Sequence, residues 1–194
     1  MQHYGQVTRL LDWSESFACA VYFALFVSCE KCNVSTQNAS IWMLDPQAMN
    51  LESQGEGVNG LIALDEEIER ADGTVFDARC WHPKYKPPPE DLKSIAIAPD
   101  FTNPRMTAQR AAFTMAGDSF DSLDREFPGL VSAKRLRNFI LTPAVKQDAA
   151  AFLAAAGLDA YSFFPDPRGL EVRRKDEVRR RYEIMRKYYG QAMK

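Results

Sequence analysis

The sequence predicts an α+β fold in which helices surround a small β-sheet. Three observations indicate this fold class. The apolar run Phe17–Phe26 is typical of a buried helix, and the alanine-rich stretch 143–156 predicts a second helix. Short segments such as Leu136–Leu141 are predicted to be strands. Helical and strand-like segments therefore both occur along the chain, without an internal repeat.

Length and composition restrict the class of protein. The chain has 194 residues, of which 46% are hydrophobic, and a formal net charge of −2. This suits one globular domain, or one domain with an appendage, and it argues against a surface that attracts nucleic acid as a whole. The longest apolar run is about half of what a membrane span needs. Because the first residues are polar, we expect no signal peptide, and we expect a cytoplasmic protein whose four cysteines are free.

The first part of the chain predicts a strand, a helix and a second strand. Residues 8–13 are expected to be extended and to lead into the helix Phe17–Phe26. Ser14 or Ser16 is the expected N-cap, because a short hydroxyl side chain accepts from the first free backbone N–H groups. The helix is apolar almost all round, which predicts a central position. A buried strand is expected at 40–44. The helix side chains expected in the core are Phe17, Val21 and Leu25.

Shorter elements are predicted for the rest of the chain. A helix is expected at 62–70, and the prolines at 87–89 favour an extended segment. Residues 105–115 are expected to form a pair of strands or a strand and a turn. The helix at 143–156 should end at Gly157, since glycine favours the position after a helix. The remaining predictions are strands at 94–98, 136–141 and 160–164 and a terminal helix at 171–189.

A dense string of polar and aromatic residues precedes the first helix. It consists of Gln2, His3, Tyr4, Gly5, Thr8, Arg9, Asp12 and Trp13. Few core strands carry so many hydrogen-bonding groups without a site to serve. The string resembles the signature of the FRG domain family, whose usual form is QHYG-x-x-TRLLDW followed by a small-residue helix that ends in YFA.

Later stretches resemble the same family. They are Pro104-Arg105-Met106 with QRAAFT at 109–114, the region from Phe139 to Gly157, and Phe164-Pro165-Asp166 with Gly169-Leu170. Ala111 stands where glycine is usual. The resemblance predicts an FRG-like domain over 1–170 and a basic C-terminal helix over 171–194 packed on it. The Phe-Arg-Gly tripeptide for which the family is named does not occur in the sequence, so the resemblance supports no step that needs its arginine.

The order of motifs in FRG domains resembles that of the ADP-ribosyltransferase fold, which has a small mixed or split sheet. In that fold a strand leads into a helix of the form x-x-A-x-x-F, and a Glu or Gln lies on a later strand. Asp12-Trp13-Ser14, followed by Ala20 and Phe23, resembles the first of these elements. Gln109 resembles the second. The resemblance implies NAD as a co-substrate and no bound metal.

The resemblance also implies a role for each residue of the site. Cleavage of the nicotinamide–ribose bond builds positive charge on the ribose, which a nearby carboxylate stabilises. The implied catalytic residues are Gln109, Asp12 and His3, of which the histidine titrates near neutral pH. The implied substrate-binding residues are Tyr4 and Trp13 for stacking, Thr8 and Ser14 for hydrogen bonds to ribose or phosphate, and Arg9 for pyrophosphate.

Each of these residues also has a structural interpretation. Arg9 and Asp12 would form an ion pair that fixes the loop. The side chains that would serve only packing or local hydrogen bonding are Tyr4, Trp13 and His3. Gln109 has the stronger functional case, because a polar residue inside a strand-like segment needs a partner.

Two further signals lie outside the string. Cys29, Cys32, Cys80 and His82 offer ligands of the kind that zinc takes, but Cys-x-His is tight for two ligands of one tetrahedral ion. The segment 171–194 carries nine Lys or Arg against four Asp or Glu. It predicts an amphipathic helix that docks on the domain or on a partner, with contact to nucleic acid as the minority interpretation. The expected apolar stripe is Val172, Val178, Tyr182, Met185 and Tyr189.

The sequence therefore predicts NAD-dependent ADP-ribosyl transfer or NAD glycohydrolysis, in the bacterial defence or toxin setting that the resemblance implies. The alternative is a catalytically inactive module that binds a nucleotide, a nucleic acid or a protein. The missing tripeptide and the glutamine at position 109 favour this alternative. The expected partners are NAD or a related nucleotide, a macromolecular acceptor and, through an open sheet edge, a second copy in a homodimer. No membrane partner is expected.

Overall fold

Short strands and helices alternate along the chain, which confirms the predicted α+β class. The computed structural model describes residues 9–26, 37–55, 60–63, 67–69, 73, 75–77, 92–99, 103–119 and 121–192, with the backbone alone at 67–69, 75–77 and 189–192. The elements in chain order are β1 (Leu10–Ser14), α1 (Phe17–Phe26), β2 (Ala39–Leu44), α2 (Pro46–Gln54), β3 (Ile62–Ala63), β4 (Glu67–Glu69), β5 (Val75–Asp77), β6 (Ile95–Ala98), α3 (Pro104–Gln109), β7 (Ala111–Met115), α4 (Leu123–Glu126), α5 (Pro128–Ser132), β8 (Leu136–Leu141), α6 (Pro143–Ala155), α7 (Ala160–Phe163) and α8 (Pro167–Ala192).

The largest described sheet has four strands in the order β1-β7-β6-β3. The β1–β7 and β6–β7 pairs are antiparallel and the β3–β6 pair is parallel, so the sheet is mixed, as predicted. Two antiparallel strand pairs, β2–β8 and β4–β5, lie apart from it. The described residues divide into two compact units. The first falls within 1–15, 38–100 and 111–142, and the second within 16–37, 101–110 and 143–194.

The four-stranded sheet carries an apolar cluster on each face. Alternation along β6 explains this arrangement, because successive side chains point to opposite faces. Ile95 and Ile97 pack with Ile62 and Leu92 on one face, whereas Ala96 belongs to the cluster on the other. Burial of each of these isoleucines contributes roughly 1.5–3 kcal/mol. The second cluster contains Met49, Ala96, Phe127, Leu130 and Leu136.

Local capping groups explain where several helices begin. Asp45 caps α2 by accepting from the Ala48 N–H at 3.0 Å, and Pro46 follows at the first helical position, where its missing N–H costs nothing. Ser16 caps α1, since its Oγ accepts from the Cys19 N–H at 3.3 Å. Of the two expected N-caps, Ser16 is therefore the one that caps α1. Ser14 is the last residue of β1 instead.

The core predicted for α1 is partly wrong. Val21 and Leu25 are buried, which confirms both, but Phe17 is 68% exposed. Phe17 is the first residue of α1, so no preceding helical turn covers its side chain. The strand predicted at 40–44 is confirmed as β2, but it is not a buried strand, because Trp42 and Met43 are exposed and Ile41 alone is buried.

Three predicted elements have the wrong type. The predicted helix at 62–70 is wrong, because Ile62 and Ala63 pair with β6 and 67–69 pair with β5. The predicted strand at 160–164 is wrong, because Asp159 and Ser162 form a capping box that begins α7. The strand predicted from residue 105 is wrong as far as Gln109, since Asn103 and Pro104 begin the helix α3. Strand β7 follows it.

The other main elements are confirmed. Strands β6 and β8 lie where they were expected, and α6 ends before Gly157, whose φ of +68° is left-handed. The terminal helix begins at Pro167 rather than 171, because Asp166 caps it. The prolines at 87–89 lie outside the described residues. None of the helices described here is long and apolar enough to cross a membrane.

Candidate functional site

Strand β1 places the residues of the signature string on two faces. Residues two apart on a strand share a face and lie about 7 Å apart. Asp12 and Ser14 therefore share the face on which Leu10 packs against the Ile95 cluster. Trp13 lies on the opposite face, where it packs against the cluster that contains Ala96 and Phe127. The structure thus brings Asp12 and Ser14 together and places Trp13 away from them.

The Trp13 side chain has a structural partner within the sheet. Its indole Nε1–H donates to Thr114 Oγ1 of the neighbouring strand β7 at 3.1 Å. Thr114 is buried, so this bond satisfies a hydroxyl that would otherwise lack a partner in an apolar layer. This contact supports the structural interpretation of Trp13 over nicotinamide stacking.

Arg9 fixes the loop that follows β7. Its Nε donates to the carbonyl of Ala116 at 3.1 Å, and its Nη2 donates to the carbonyl of Gly117 at 2.5 Å. The same Nη2 lies 3.3 Å from Asp118 Oδ1, so the guanidinium also forms an ion pair. Arg9 therefore holds the loop after β7, with Asp118 as a carboxylate partner. The structural interpretation had expected an ion pair with Asp12.

Ser94 and Glu126 also hold the loop that follows β7. Ser94 Oγ accepts from the Gly117 N–H at 3.1 Å and donates to Glu126 Oε2 at 2.7 Å. Glu126 Oε1 accepts from the Ser94 N–H at 2.7 Å. Ser94 is buried, so Glu126 supplies partners to a polar group inside the first unit. The sequence reasoning missed this network, because Ser94 and Glu126 are distant in sequence.

Gln109 lies at the end of helix α3 in the second unit, and the prediction that it lies on a strand is wrong. Its Nε2–H donates to the carbonyl of Phe163 at 3.0 Å. A glutamine in this position ties α3 to the end of α7. The ADP-ribosyltransferase analogy needs a strand residue here, so this part of the analogy is not met.

Two further residues from the motif matches, Arg105 and Asp166, lie close to Gln109 in the second unit. Arg105 Nε forms an ion pair with Asp166 Oδ2, and both side chains are nearly four-fifths buried. The Arg105 guanidinium also lies 5.3 Å from the centre of the Phe164 ring, within range of a cation–π contact. Asp166 Oδ1 accepts from the N–H groups of Arg168 at 2.9 Å and Gly169 at 3.1 Å, which caps α8.

These contacts explain two motif matches that had been given no role. Arg105 belongs to the Pro104-Arg105-Met106 match and Asp166 to the Phe164-Pro165-Asp166 match. The two motif segments carry residues of opposite charge, Arg105 and Asp166, so their ion pair could have been predicted from the sequence. The hydrogen bond from Arg105, and then the N–H of Gly169, lower the pKa of Asp166 below its usual value.

Asp166→Asn is expected to lower the free energy of unfolding by about 1–2 kcal/mol at neutral pH. A depressed folded-state pKa means that the stabilisation is present above the unfolded pKa of about 3.9 and is lost as pH falls through the folded pKa. The difference between wild type and variant should therefore shrink at about pH 3. Urea unfolding at both pH values measures it. Asp148→Asn, at an exposed position on α6, is the control, and a pH-independent difference for Asp166→Asn would contradict the expectation.

Aromatic side chains surround the same region. The Tyr22 ring centre lies 4.9 Å from that of Phe163 and 6.2 Å from that of Phe164, and Phe23 lies 5.6 Å from Phe164. Burial, and then the charges of Asp176 and Asp159, raise the pKa of the Tyr22 phenol. The FPD motif and the helix α1 thus meet through ring contacts within one unit.

Several predicted site residues lie outside the part of the chain that the structure describes. They are His3, Tyr4 and Thr8 of the string, and Cys29, Cys32, Cys80 and His82 of the zinc alternative. The described residues of the string are therefore Arg9, Asp12 and Trp13. Of the three implied catalytic residues, Asp12 lies in the first unit and Gln109 in the second.

The fold and these motifs define a mixed α+β protein whose signature string forms a strand leading into an apolar helix. A family model described as FRG domain matches residues 1–31. The match supports, over that segment, the resemblance to the FRG family that the opening string predicted. No curated protein and no solved structure matches the chain.

Proposed function

We propose that the chain binds NAD or a related nucleotide and transfers ADP-ribose from it or hydrolyses it, in a bacterial defence or toxin setting. One observation carries the proposal. Strand β1, with Asp12 and Ser14, leads directly into helix α1, with Ala20 and Phe23. This is the order of strand and helix that the resemblance to the ADP-ribosyltransferase fold implies for Asp12-Trp13-Ser14 and the helix after it. The FRG match over residues 1–31 covers the same segment.

Asp12 and Ser14 supply the chemistry that this proposal needs. Asp12 is exposed and Ser14 is partly exposed, and both lie on one face of β1. The carboxylate of Asp12 would stabilise the positive charge that develops on the ribose as nicotinamide leaves. The hydroxyl of Ser14, about 7 Å along the strand, would bind a ribose or phosphate oxygen. Asp12 is thus the residue on which catalysis depends.

Asp12→Asn is expected to reduce nicotinamide release by about a hundredfold or more, because the amide has the shape of the carboxylate without its charge. NAD binding, measured by calorimetry, should change much less than turnover, since the charge matters most in the transition state. Asp148→Asn makes the same chemical change at an exposed position on α6 and should leave both quantities unaltered. Equal turnover in wild type and Asp12→Asn would exclude Asp12 as the stabilising carboxylate.

The geometry of Gln109 favours a second candidate, a catalytically inactive binding module for a nucleotide, a nucleic acid or a protein. Its amide is engaged with the Phe163 carbonyl, and an amide cannot act as a base. Gln109→Ala separates the two candidates. If Gln109 is structural, the variant loses about 1 kcal/mol of stability and keeps its NAD affinity. Loss of turnover at unchanged stability would support the enzyme, and no NAD binding at about 1 mM would support the module with a macromolecular partner.

A further inference from the structure

The long helix α8 is anchored along one face near its start. Gly169 is buried, and a Cβ at this position would lie 1.9 Å from the carbonyl oxygen of Phe164, so the helix approaches that backbone closely. Arg173 forms an ion pair with Asp159 at 3.3 Å. The next residue on this face, Asp176, is partly buried. Gly169, Arg173 and Asp176 follow one another at intervals of four and three residues, so they form one continuous face.

The opposite face of α8 exposes an apolar stripe. Val178, Tyr182 and Met185 also follow at intervals of four and three, and they are 68%, 67% and 57% exposed. Val178 lies nine residues after Gly169, which is about 180° around the helix. An open groove on this side is lined by Leu170, Val178 and Tyr182 and by charged side chains. These include Arg174 and the ion pair between Glu171 and Lys175, at 2.6 Å. We call Val178, Tyr182 and Met185 the outer stripe.

The geometry of α8 corrects the apolar stripe that was predicted from the sequence. Val172 lies about 120° around the helix from Val178, so it does not belong to the outer stripe. The side chain of Tyr189 lies outside the described residues. The stripe that the structure shows is therefore short, about 10 Å from Val178 to Met185.

Arginines flank the outer stripe on both sides. Arg174 and Arg181 lie along one side of it and Arg186 along the other, and all three side chains are exposed. Among the described residues none of these three forms an ion pair, whereas Arg179 is paired with Asp176 at 2.8 Å. In paired helices the positions beside the apolar stripe face the corresponding positions of the partner and select it by charge. The flanks of α8 therefore select carboxylates.

We propose that the outer stripe of α8 docks a partner protein through an amphipathic helix whose own apolar stripe is flanked by acidic residues. This proposal is independent of NAD handling. A second copy of the chain is a poor occupant, because it would place arginine against arginine along both flanks. A nucleic acid fits less well, because it offers no apolar stripe to cover Val178, Tyr182 and Met185. A lipid surface is an alternative occupant that the test below distinguishes. A helix with an apolar stripe and acidic flanks contacts both the outer stripe of α8 and the arginines beside it.

The test uses the whole chain and three probes. The first is a labelled designed helix with leucine in its stripe and glutamate at the flanking positions. The second is the same helix with lysine at the flanks, and the third is a vesicle containing phosphatidylserine. Fluorescence anisotropy should show micromolar binding of the acidic helix and at least tenfold weaker binding of the basic one. Vesicle binding should be weaker still. No binding of the acidic helix at about 100 μM overturns the proposal.

Two variants of adjacent residues provide the matched control. Arg181→Glu changes a flank of the outer stripe, whereas Arg180→Glu makes the same charge change on the anchored side of the helix, about 100° away. The first should weaken binding of the acidic helix at least tenfold, and the second less than twofold. Tyr182→Ser should also weaken it at least tenfold, and circular dichroism checks that each variant keeps its helix content. Equal loss for Arg181→Glu and Arg180→Glu, or vesicle binding that depends on Tyr182 without acidic-helix binding, overturns the proposal.

Discussion

Gly117→Ala is expected to destabilise the first unit by about 3 kcal/mol, the upper end of the usual cost of overpacking. A Cβ at Gly117 would lie 1.9 Å from the carbonyl oxygen of Leu92 and 2.6 Å from the carbonyl carbon of Lys93. These are backbone atoms, so they cannot rotate away as the end of a side chain would. The carbonyl of Gly117 also accepts from Arg9, and its N–H donates to Ser94. Displacing the loop would therefore weaken the contacts that hold β1.

Denaturant unfolding of Gly117→Ala measures this effect, and Gly129→Ala is its control. A Cβ at Gly129 would meet the carboxylate end of Glu52, which is a flexible group that can move. Gly129 also lies in the first turn of α5, where alanine favours the helix. The control should therefore change stability by less than about 1 kcal/mol. A Gly117→Ala protein as stable as wild type would show that the loop after β7 is not fixed as the structure has it.

Asn50→Ala is expected to cost about 4 kcal/mol, because it would leave three buried or part-buried backbone groups without partners. The Asn50 side chain is completely buried. Its Nδ2 donates to the carbonyls of Gly60 at 2.6 Å and Ala96 at 2.8 Å, and its Oδ1 accepts from the Ala96 N–H at 2.7 Å. Asn50 bonds to both backbone groups of Ala96 as a neighbouring strand would. The helix α2 thereby completes the pairing of β6 where the short strand β3 does not reach.

Asn50→Asp is expected to make the stability of the protein depend on pH through the same site. A carboxylate would place an oxygen against the carbonyls of Gly60 and Ala96, whereas the protonated acid can donate to one of them. The folded-state pKa of this aspartate should lie above the unfolded value of about 3.9. The variant should therefore keep more of its stability below about pH 4 and lose it as pH rises through the folded pKa. Asn138→Ala, at an exposed position, is the control and should be nearly neutral.

The elements that could be predicted from the sequence are those with a sustained apolar pattern. Helix α1 is a continuous apolar segment, β8 ends in the apolar run Phe139–Leu141, and α6 ends where glycine was expected. The errors occur in short segments whose type depends on a cap or on a distant strand. Ile62 and Ala63 form a strand because Ile97 and Ala98 pair with them, which no local pattern reveals. The capping groups Asn103 and Asp159 were local signals for α3 and α7, and composition alone did not reveal them.

The candidate site was predictable as a segment, but its geometry was not. The string of polar residues predicted the resemblance to the FRG family, and the family model matches the same segment, residues 1–31. Whether a polar side chain faces a ligand or a backbone carbonyl depends on residues far along the chain. Arg9 meets Ala116 and Gly117, more than 100 residues away, and Gln109 meets Phe163. The sequence pattern alone cannot distinguish these contacts from contacts to a substrate.

Among the residues that the structure describes, two other than glycine take the left-handed backbone conformation. Arg110, with φ +47°, is the C-cap of α3 and precedes β7, and Lys134, with φ +58°, lies two residues after α5 and shortly before β8. Such a conformation costs a side-chain-bearing residue roughly 1–2 kcal/mol, so neither turn is favoured by its own sequence. The strand pairing that follows each turn must offset this cost. Helix termination and strand pairing are therefore formed together at both places, which makes folding more cooperative than the short elements would suggest.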